Sequence, residues 1–270
     1  MPMIDPPALP LGPPVVDRIP TGTQLWRVHS QKYLGNQRNP TPAPTVPGGG
    51  RFDSLDGSYS YSYFGQSEEG ALAEAVFRDL PLDGRPRIIP AAAWRPLVIS
   101  GLETTRDLQL TCCHGPALSR LGQDSWLTRC DPEHYVRTRR WAAAIRSWQP
   151  GVDGLSYRCR NNEDQLALVL FGPAGAGLFD SISTAGPSRS LVAQPTLDLV
   201  QHVARMHTAA LSRLNPDAVG SDHHDQQSPR PSLVMTLTEG PDPRHTARMG
   251  STAGFVDGRT ERERLGQQRV

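Results

Sequence analysis

Gly48-Gly49-Gly50-Arg51-Phe52-Asp53, the alternate tyrosines Tyr59, Tyr61 and Tyr63, and Glu74 beyond them fall in one short stretch of the chain. With Arg27 upstream, these are parts suited to holding an anionic nucleotide and stabilising a cation that forms on its sugar. That is chemistry on a glycosidic bond. An arginine suits phosphate because its planar fork meets two oxygens at once. A tyrosine face suits ring stacking. A carboxylate near the anomeric carbon opposes the charge of an oxocarbenium-like sugar, or orients the sugar hydroxyls and an attacking nucleophile. Each residue also has an ordinary reading. Glu74 can be a solvated carboxylate paired with Arg78 one helical turn on, worth only about 0.2–0.5 kcal/mol. Tyr63 can be a core or edge aromatic, and the glycines before Arg51 can form a plain turn.

These groups need elements to position them. Ser58 to Tyr63 alternates serine and tyrosine, which in a strand puts the three tyrosines on one face and the serines on the other. A helix is expected directly afterwards: Ser67 suits the N-cap, Glu68 and Glu69 suit the positive end of the dipole, and Ala71-Leu72-Ala73 follow. Leu72, Ala75 and Val76 would face the core, leaving Glu74 on the far side of that stripe. Ile88-Ile89 and Leu97-Val98-Ile99 read as short strands. A second helix is expected from about Pro132 to Trp148, with Trp141, Ile145 and Trp148 on one face, and Gln149-Pro150-Gly151 ends it. Its basic residues Arg137, Arg139, Arg140 and Arg146 read as a solvated face, a phosphate or partner contact being the alternative. His29 reads as a structural or capping residue rather than a base.

Four segments occur in an order that resembles a known family. They are Leu25-Trp26-Arg27-Val28-His29, then Gly49-Gly50-Arg51-Phe52, then the run from Tyr63-Phe64-Gly65 to Ala73-Glu74, then Asp153-Gly154-Leu155-Ser156-Tyr157-Arg158-Cys159-Arg160 before the apolar run Leu166 to Phe171. Together they resemble the RES domain, named for its arginine, glutamate and serine, the toxin half of many bacterial toxin–antitoxin pairs. The likeness covers roughly residues 22 to 180. It implies an α+β fold related to the ADP-ribosyltransferases, with mixed sheets, flanking helices and disordered termini. It also implies an enzyme that cleaves the nicotinamide–ribose bond of NAD and depletes cellular NAD.

By that resemblance Arg27 and Arg51 bind the dinucleotide, Tyr63 sits beside the nicotinamide ribose, and Glu74 is essential for catalysis. The family serine aligns with Cys159, while Ser156, three residues away, falls on the opposite face of its strand. A thiol keeps the size of the hydroxyl but donates a weaker hydrogen bond. NAD is the substrate, no metal is expected, and the nicotinamide leaves from an already cationic state, so little acid catalysis is needed. The attacker stays open. Water gives a glycohydrolase, inorganic phosphate a phosphorylase, and a protein side chain an ADP-ribosyltransferase. A non-catalytic RES-derived binding module is the alternative from another class. The implied partner is a small helix-turn-helix antitoxin, and the implied location is cytoplasmic.

Composition bounds the rest. With 28 basic and 27 acidic residues, a sequence-independent nucleic-acid surface is not expected. A hydrophobic content of 37% and 26 prolines point to unstructured ends. The chain divides into a proline-rich flexible arm (1–20, not a signal peptide), the RES-like domain (21–180), a linker with an amphipathic helix (181–219) and a disordered tail (220–270). Leu199, Val200, Val203, Met206, Ala210 and Leu214 place that helix near 196–214, packed on the parent domain, with a partner-binding or self-association role as the alternative. No apolar run reaches membrane-span length. Cys112, Cys113, Cys130 and Cys159 lack Cys-x-x-Cys spacing. A metal cluster drawn from Cys112, Cys113, His114, Cys130 and His134 has irregular spacing, and reduced thiols are the plain reading. Cys159 as a thiol nucleophile has no local signature.

Overall fold

The serine–tyrosine alternation forms a strand, and that strand lies near the middle of a large sheet. The computed structural model describes residues 5–81 and 83–212. In chain order its elements begin with β1 (Val16–Ile19), β2 (Gln24–Ser30), β3 (Ser60–Gly65) and α1 (Glu68–Leu72), which runs on into a π-helical turn over Ala73–Phe77. Then come β4 (Arg87–Ile89), α2 (Ala91–Trp94), β5 (Leu97–Thr104), β6 (Leu108–Cys112), α3 (Ala117–Leu121), α4 (Trp126–Arg129) and α5 (Tyr135–Trp148), the last entered through a 3₁₀ turn at Pro132–His134. The remainder is β7 (Gly154–Cys159), β8 (Asn162–Gly172), β9 (Ile182–Thr184), β10 (Arg189–Ser190), α6 (Thr196–Met206) and β11 (Ala209–Leu211).

Nine strands form one sheet in the order β1-β6-β7-β8-β3-β2-β5-β10, with β9 also pairing with β5. Most pairs are antiparallel, but β6 and β7 run parallel, and β11 pairs parallel with β4 in a separate two-stranded sheet. The fold is α+β with a mixed sheet.

Both faces of the sheet are covered. On one face Trp141, Ala142 and Ile145 of α5 pack against Tyr59, Tyr61, Tyr157 and Val169. On the other Leu25, Phe64, Leu102, Leu168 and Leu170 form a second core. A third core gathers Val76 and Phe77 of the π turn, Ile99, and Val200 and Val203 of α6. Because β3 sits between β2 and β8, its serines are buried along with Tyr61. Ser60 donates to the Pro173 carbonyl at 2.7 Å and Ser62 to that of Gln37 at 3.0 Å. Burial is therefore satisfied without a solvent face.

The ends differ from their sequence reading. Residues 16–19 of the span read as an arm form β1, in full register with β6. Ahead of it the Trp148 indole donates to the Ala8 carbonyl at 3.0 Å, and Asp5 pairs with Arg140. The helix expected to reach 214 stops at Met206. Thr208 takes a φ of 50°, which breaks the helix, and Ala210 lies in β11 instead. Strands β9 and β10 extend the sheet past residue 180. Leu214 and the tail at 220–270 lie outside the described residues. No helix among the described residues is long and apolar enough to cross a membrane.

Candidate functional site

A cavity of about 410 Å³ opens beside β2, β3 and the π turn, lined among others by Arg27, His29, Tyr63, Phe64, Glu74 and Arg78. That volume lies within the range of small-molecule sites, roughly 300–1,000 Å³. Arg27, Tyr63 and Glu74, singled out in the sequence, share its wall. Arg51 and Cys159 are not in that wall.

Arg27 projects from β2 and is almost fully buried. Its Nη1 donates to the carbonyls of Gly35 at 2.9 Å and Gln37 at 2.5 Å, and its guanidinium lies over the Phe64 ring, 5.8 Å from the centroid. No carboxylate pairs with it among the described residues, and burial lowers its pKa to about 10. Lys32 (the chain's single lysine) and Arg38 add positive charge to the same wall, also without an ion pair among the described residues. Arg78 is different, being held by Asp79 through Nε at 3.1 Å and Nη2 at 2.9 Å.

Tyr63 presents its ring, not its hydroxyl. The hydroxyl donates to Asp53 Oδ1 at 2.7 Å and accepts from the Phe52 N–H at 2.8 Å. Burial, and then Asp53, push its pKa well above the usual value. The proton is therefore fixed, and stacking is what remains. Asp53 Oδ2 also accepts from the Gly50 N–H at 2.6 Å. This knot explains the glycines. A Cβ on Gly49, which has φ +69°, would lie 2.6 Å from Asp53 Oδ2, and one on Gly50 would lie 2.6 Å from the Tyr63 hydroxyl. Close approach of side chains requires them here.

Glu74 departs from the sequence expectation. It is 7% exposed rather than solvated, and it pairs with Arg51 rather than Arg78. The cause is local: the π turn inserts an extra residue per turn and rotates Glu74 off the helical wheel's outer side. Its Oε2 accepts from Arg51 Nη2 at 2.5 Å and from the Tyr157 hydroxyl at 3.3 Å, and its Oε1 from the Arg160 N–H at 2.9 Å. Arg51, expected to grip the dinucleotide, is 1% exposed and sits behind Glu74. Its Nη1 donates to the Thr128 carbonyl and its guanidinium lies 5.1 Å from the Tyr157 ring centroid. Burial alone would lower the pKa of Arg51, and Glu74 more than offsets it, leaving the guanidinium firmly charged.

Cys159 ends β7 in the apolar core, its thiol facing the Gly70 carbonyl at 3.8 Å. Burial, and then Glu74, push its pKa up, so it stays a thiol. Ser156 faces the other way, toward Asp17 on β1.

Arg139, on the helix face expected to be solvated, is fully buried. Its Nε donates to the Gly50 carbonyl at 2.9 Å, its Nη1 to those of Ala43 at 2.7 Å and Thr45 at 2.8 Å, and its Nη2 to that of Gly48. It closes the glycine loop from behind. The signal was present: Arg139 stands four residues after Tyr135 and three before Ala142, on the buried side of α5. Arg137 and Arg140 on that helix are exposed, as expected. His29 accepts from Ser100 at 2.7 Å and donates to the Ser30 carbonyl at 2.9 Å, a structural arrangement that holds β2 to β5.

Of the cysteines and histidines drawn as a metal set, Cys113 lies in the α5-side core, and His134 lies against Trp126. Only Cys112 and His114 come together, with Asp17.

No curated protein matches this chain. A family model described as RES domain matches residues 24–192, taking in β2 to β10 and every residue of the cavity wall. The chain belongs to the RES domain family.

Proposed function

We propose that this protein is a toxin-like enzyme that cleaves the nicotinamide–ribose bond of NAD, with water or inorganic phosphate as the attacker. One observation carries the reading. A buried Arg27 with no anionic partner among the described residues and a fixed carboxylate, Glu74, face one cavity, with the Tyr63 ring in the same wall. An unpaired buried cation calls for an anionic ligand, and a diphosphate supplies one. Tyr63 offers a face to the nicotinamide end.

In the reaction the bond between ribose C1′ and the ring nitrogen breaks. Its electron pair goes to nicotinamide, which leaves neutral. Water then attacks C1′ and loses a proton to solvent, or phosphate attacks in its place. Glu74 is already ion-paired, so its role is less a bare counter-charge than an oriented acceptor for the ribose hydroxyls or the attacker. Arg51 acts through Glu74: its ion pair, with the Arg160 N–H, fixes both carboxylate oxygens. Arg27 is the residue proposed to bind the diphosphate directly.

The test incubates purified protein with NAD, with and without phosphate, and resolves the products. Nicotinamide with ADP-ribose indicates hydrolysis, and nicotinamide with a phosphorylated ADP-ribose indicates phosphorolysis. Arg27→Ala should weaken NAD binding at least about tenfold, the loss of a charge-assisted hydrogen bond of 1.5–3 kcal/mol. Intact NAD in every arm, with a folded protein, overturns the reading.

A further inference from the structure

At the far edge of the sheet, where β1, β6 and β7 lie side by side, three different metal-ligating side chains converge. Asp17 comes from β1, Cys112 from the end of β6, and His114 from the turn that follows, closed by Gly115 at φ +54°. One ligand atom from each lies within 4.8 Å of the others. The register accounts for the convergence. Asp17 pairs with Leu110, and Cys112 with Ser156, so Asp17, Cys112 and Ser156 project from one face of three adjacent strands. His114 Nε2 lies 3.2 Å from Asp17 Oδ2, and the Ser156 hydroxyl donates to the same oxygen.

We propose that Asp17, Cys112 and His114 form a zinc site separate from the cavity, with water completing a tetrahedron. A thiolate, an imidazole and a carboxylate make a donor set suited to zinc and poor for calcium or magnesium, which take oxygen ligands. Zinc bonds of about 2.0–2.3 Å set ligand atoms about 3.3–3.7 Å apart, so atoms within 4.8 Å of one another close by no more than about 1.5 Å around the ion. Access is open on one side: the side chains of His114 and Asp17 are 22% and 32% exposed, above a buried Cys112. On binding, the S–Zn bond forms as the thiol proton passes to solvent. Ser156 keeps its hydrogen bond to Asp17 and so orients the carboxylate, as outer partners of metal ligands do. The ion would add a clamp on the edge strand β1, which is also held by backbone pairing to β6, the Arg18–Asp107 ion pair and buried Ile19.

The experiment strips the full chain with a chelator and titrates Zn²⁺ against a chromophoric competitor, then repeats the titration with Co²⁺ as a spectroscopic probe. The expected result is one equivalent of zinc, a sulfur-to-cobalt charge-transfer band, and a higher melting temperature with zinc. Cys112→Ser should abolish the band and the shift. Asp17→Asn and His114→Ala should each weaken zinc at least about tenfold. A His223→Ala/His224→Ala variant should bind as the parent does, since those adjacent histidines are the other obvious donors in the sequence. Absence of binding at micromolar zinc overturns the proposal. So does undiminished binding in Asp17→Asn, an edge-strand change that leaves the core intact, or loss of binding only in the His223/His224 variant.

Discussion

Replacing Glu74 with glutamine tests the candidate site through stability and activity together. The substitution keeps the size but removes the charge that answers Arg51, which is 1% exposed, and turns one accepting oxygen into a donor. Removing one partner of a buried ion pair costs about 3–5 kcal/mol, because the other charge is left uncompensated. Glutamine's carbonyl can still accept one hydrogen bond, so the lower end, about 3 kcal/mol, is expected. For a domain of this size each kcal/mol is about 2–4 °C, giving a fall of about 6–12 °C in melting temperature. Activity measured well below that transition should fall about 10²–10³-fold, the usual cost of removing one oriented group from a site where charge develops. The companion is a double variant, Arg51→Met with Glu74→Gln, in which no buried charge is stranded. It should recover most of the stability and none of the activity. Nicotinamide release and thermal denaturation of the four proteins complete the cycle. A Glu74→Gln protein with an unchanged melting temperature and parental NAD turnover refutes both the ion pair and the catalytic assignment.

Three further outcomes are expected. Arg139→Lys keeps the charge but cannot reach four carbonyls, so it should cost about 3 kcal/mol in urea denaturation and lower kcat/KM by loosening the loop around Tyr63; a variant as stable and active as the parent removes Arg139 from the site's support. Cys159→Ser should retain turnover within a few-fold but lose about 1–3 kcal/mol, since the Gly70 carbonyl, 3.8 Å from the thiol, lies beyond hydrogen-bond reach of a buried hydroxyl there; abolished turnover in a folded protein would mean that the thiol is a nucleophile after all. His29 has its pKa lowered from 6.5 to about 4, by burial first and Arg27 second. The unfolded chain therefore takes up this proton at higher pH than the folded one, and stability is lost as pH falls from about 6.5 toward 4, by up to about 3 kcal/mol. Denaturation midpoints at pH 7 and 4.5 should separate by less in His29→Gln than in the parent; an equal separation clears His29 of the effect.

Local signals in the sequence carried the elements, and long-range partners carried the site. Ser67 as N-cap was legible because the rule is local, and its hydroxyl does accept from the Gly70 N–H at 2.9 Å. The tyrosine strand was legible from its period, but its place between β2 and β8 was not, and that place buries Tyr59 and Tyr61 and leaves Tyr63 at the cavity. Glu74 was misplaced by the assumption of uniform helical spacing. A π turn changes the rotation per residue, and nothing in Ala73-Glu74-Ala75-Val76-Phe77 announces one. Arg51 stands out in sequence by its glycines and the helical spacing places Arg139 on the buried side of α5, but neither signal names the partner. One is defined by a carboxylate 23 residues away, the other by four carbonyls about 90 residues upstream. Such partners are visible only once the chain has folded.

The charges of the cavity are arranged unevenly, and that unevenness is the strongest physical link between fold and proposed chemistry. At one end Glu74 is fully answered by Arg51 and two further donors, so its position costs the folded protein little and is held rigidly. At the other end Arg27 has carbonyls and the Phe64 ring but no anion among the described residues, and burial depresses its pKa. A protein keeps an unanswered buried cation at the expense of stability, and a ligand carrying a diphosphate relieves that expense on binding. On the proposed reading, affinity would be concentrated on the part of NAD that does not react. Glu74 and Tyr63 would then be left, already held in place, for the end that does. Binding energy at a remote group is what an enzyme can use to hold a reacting bond in a fixed geometry.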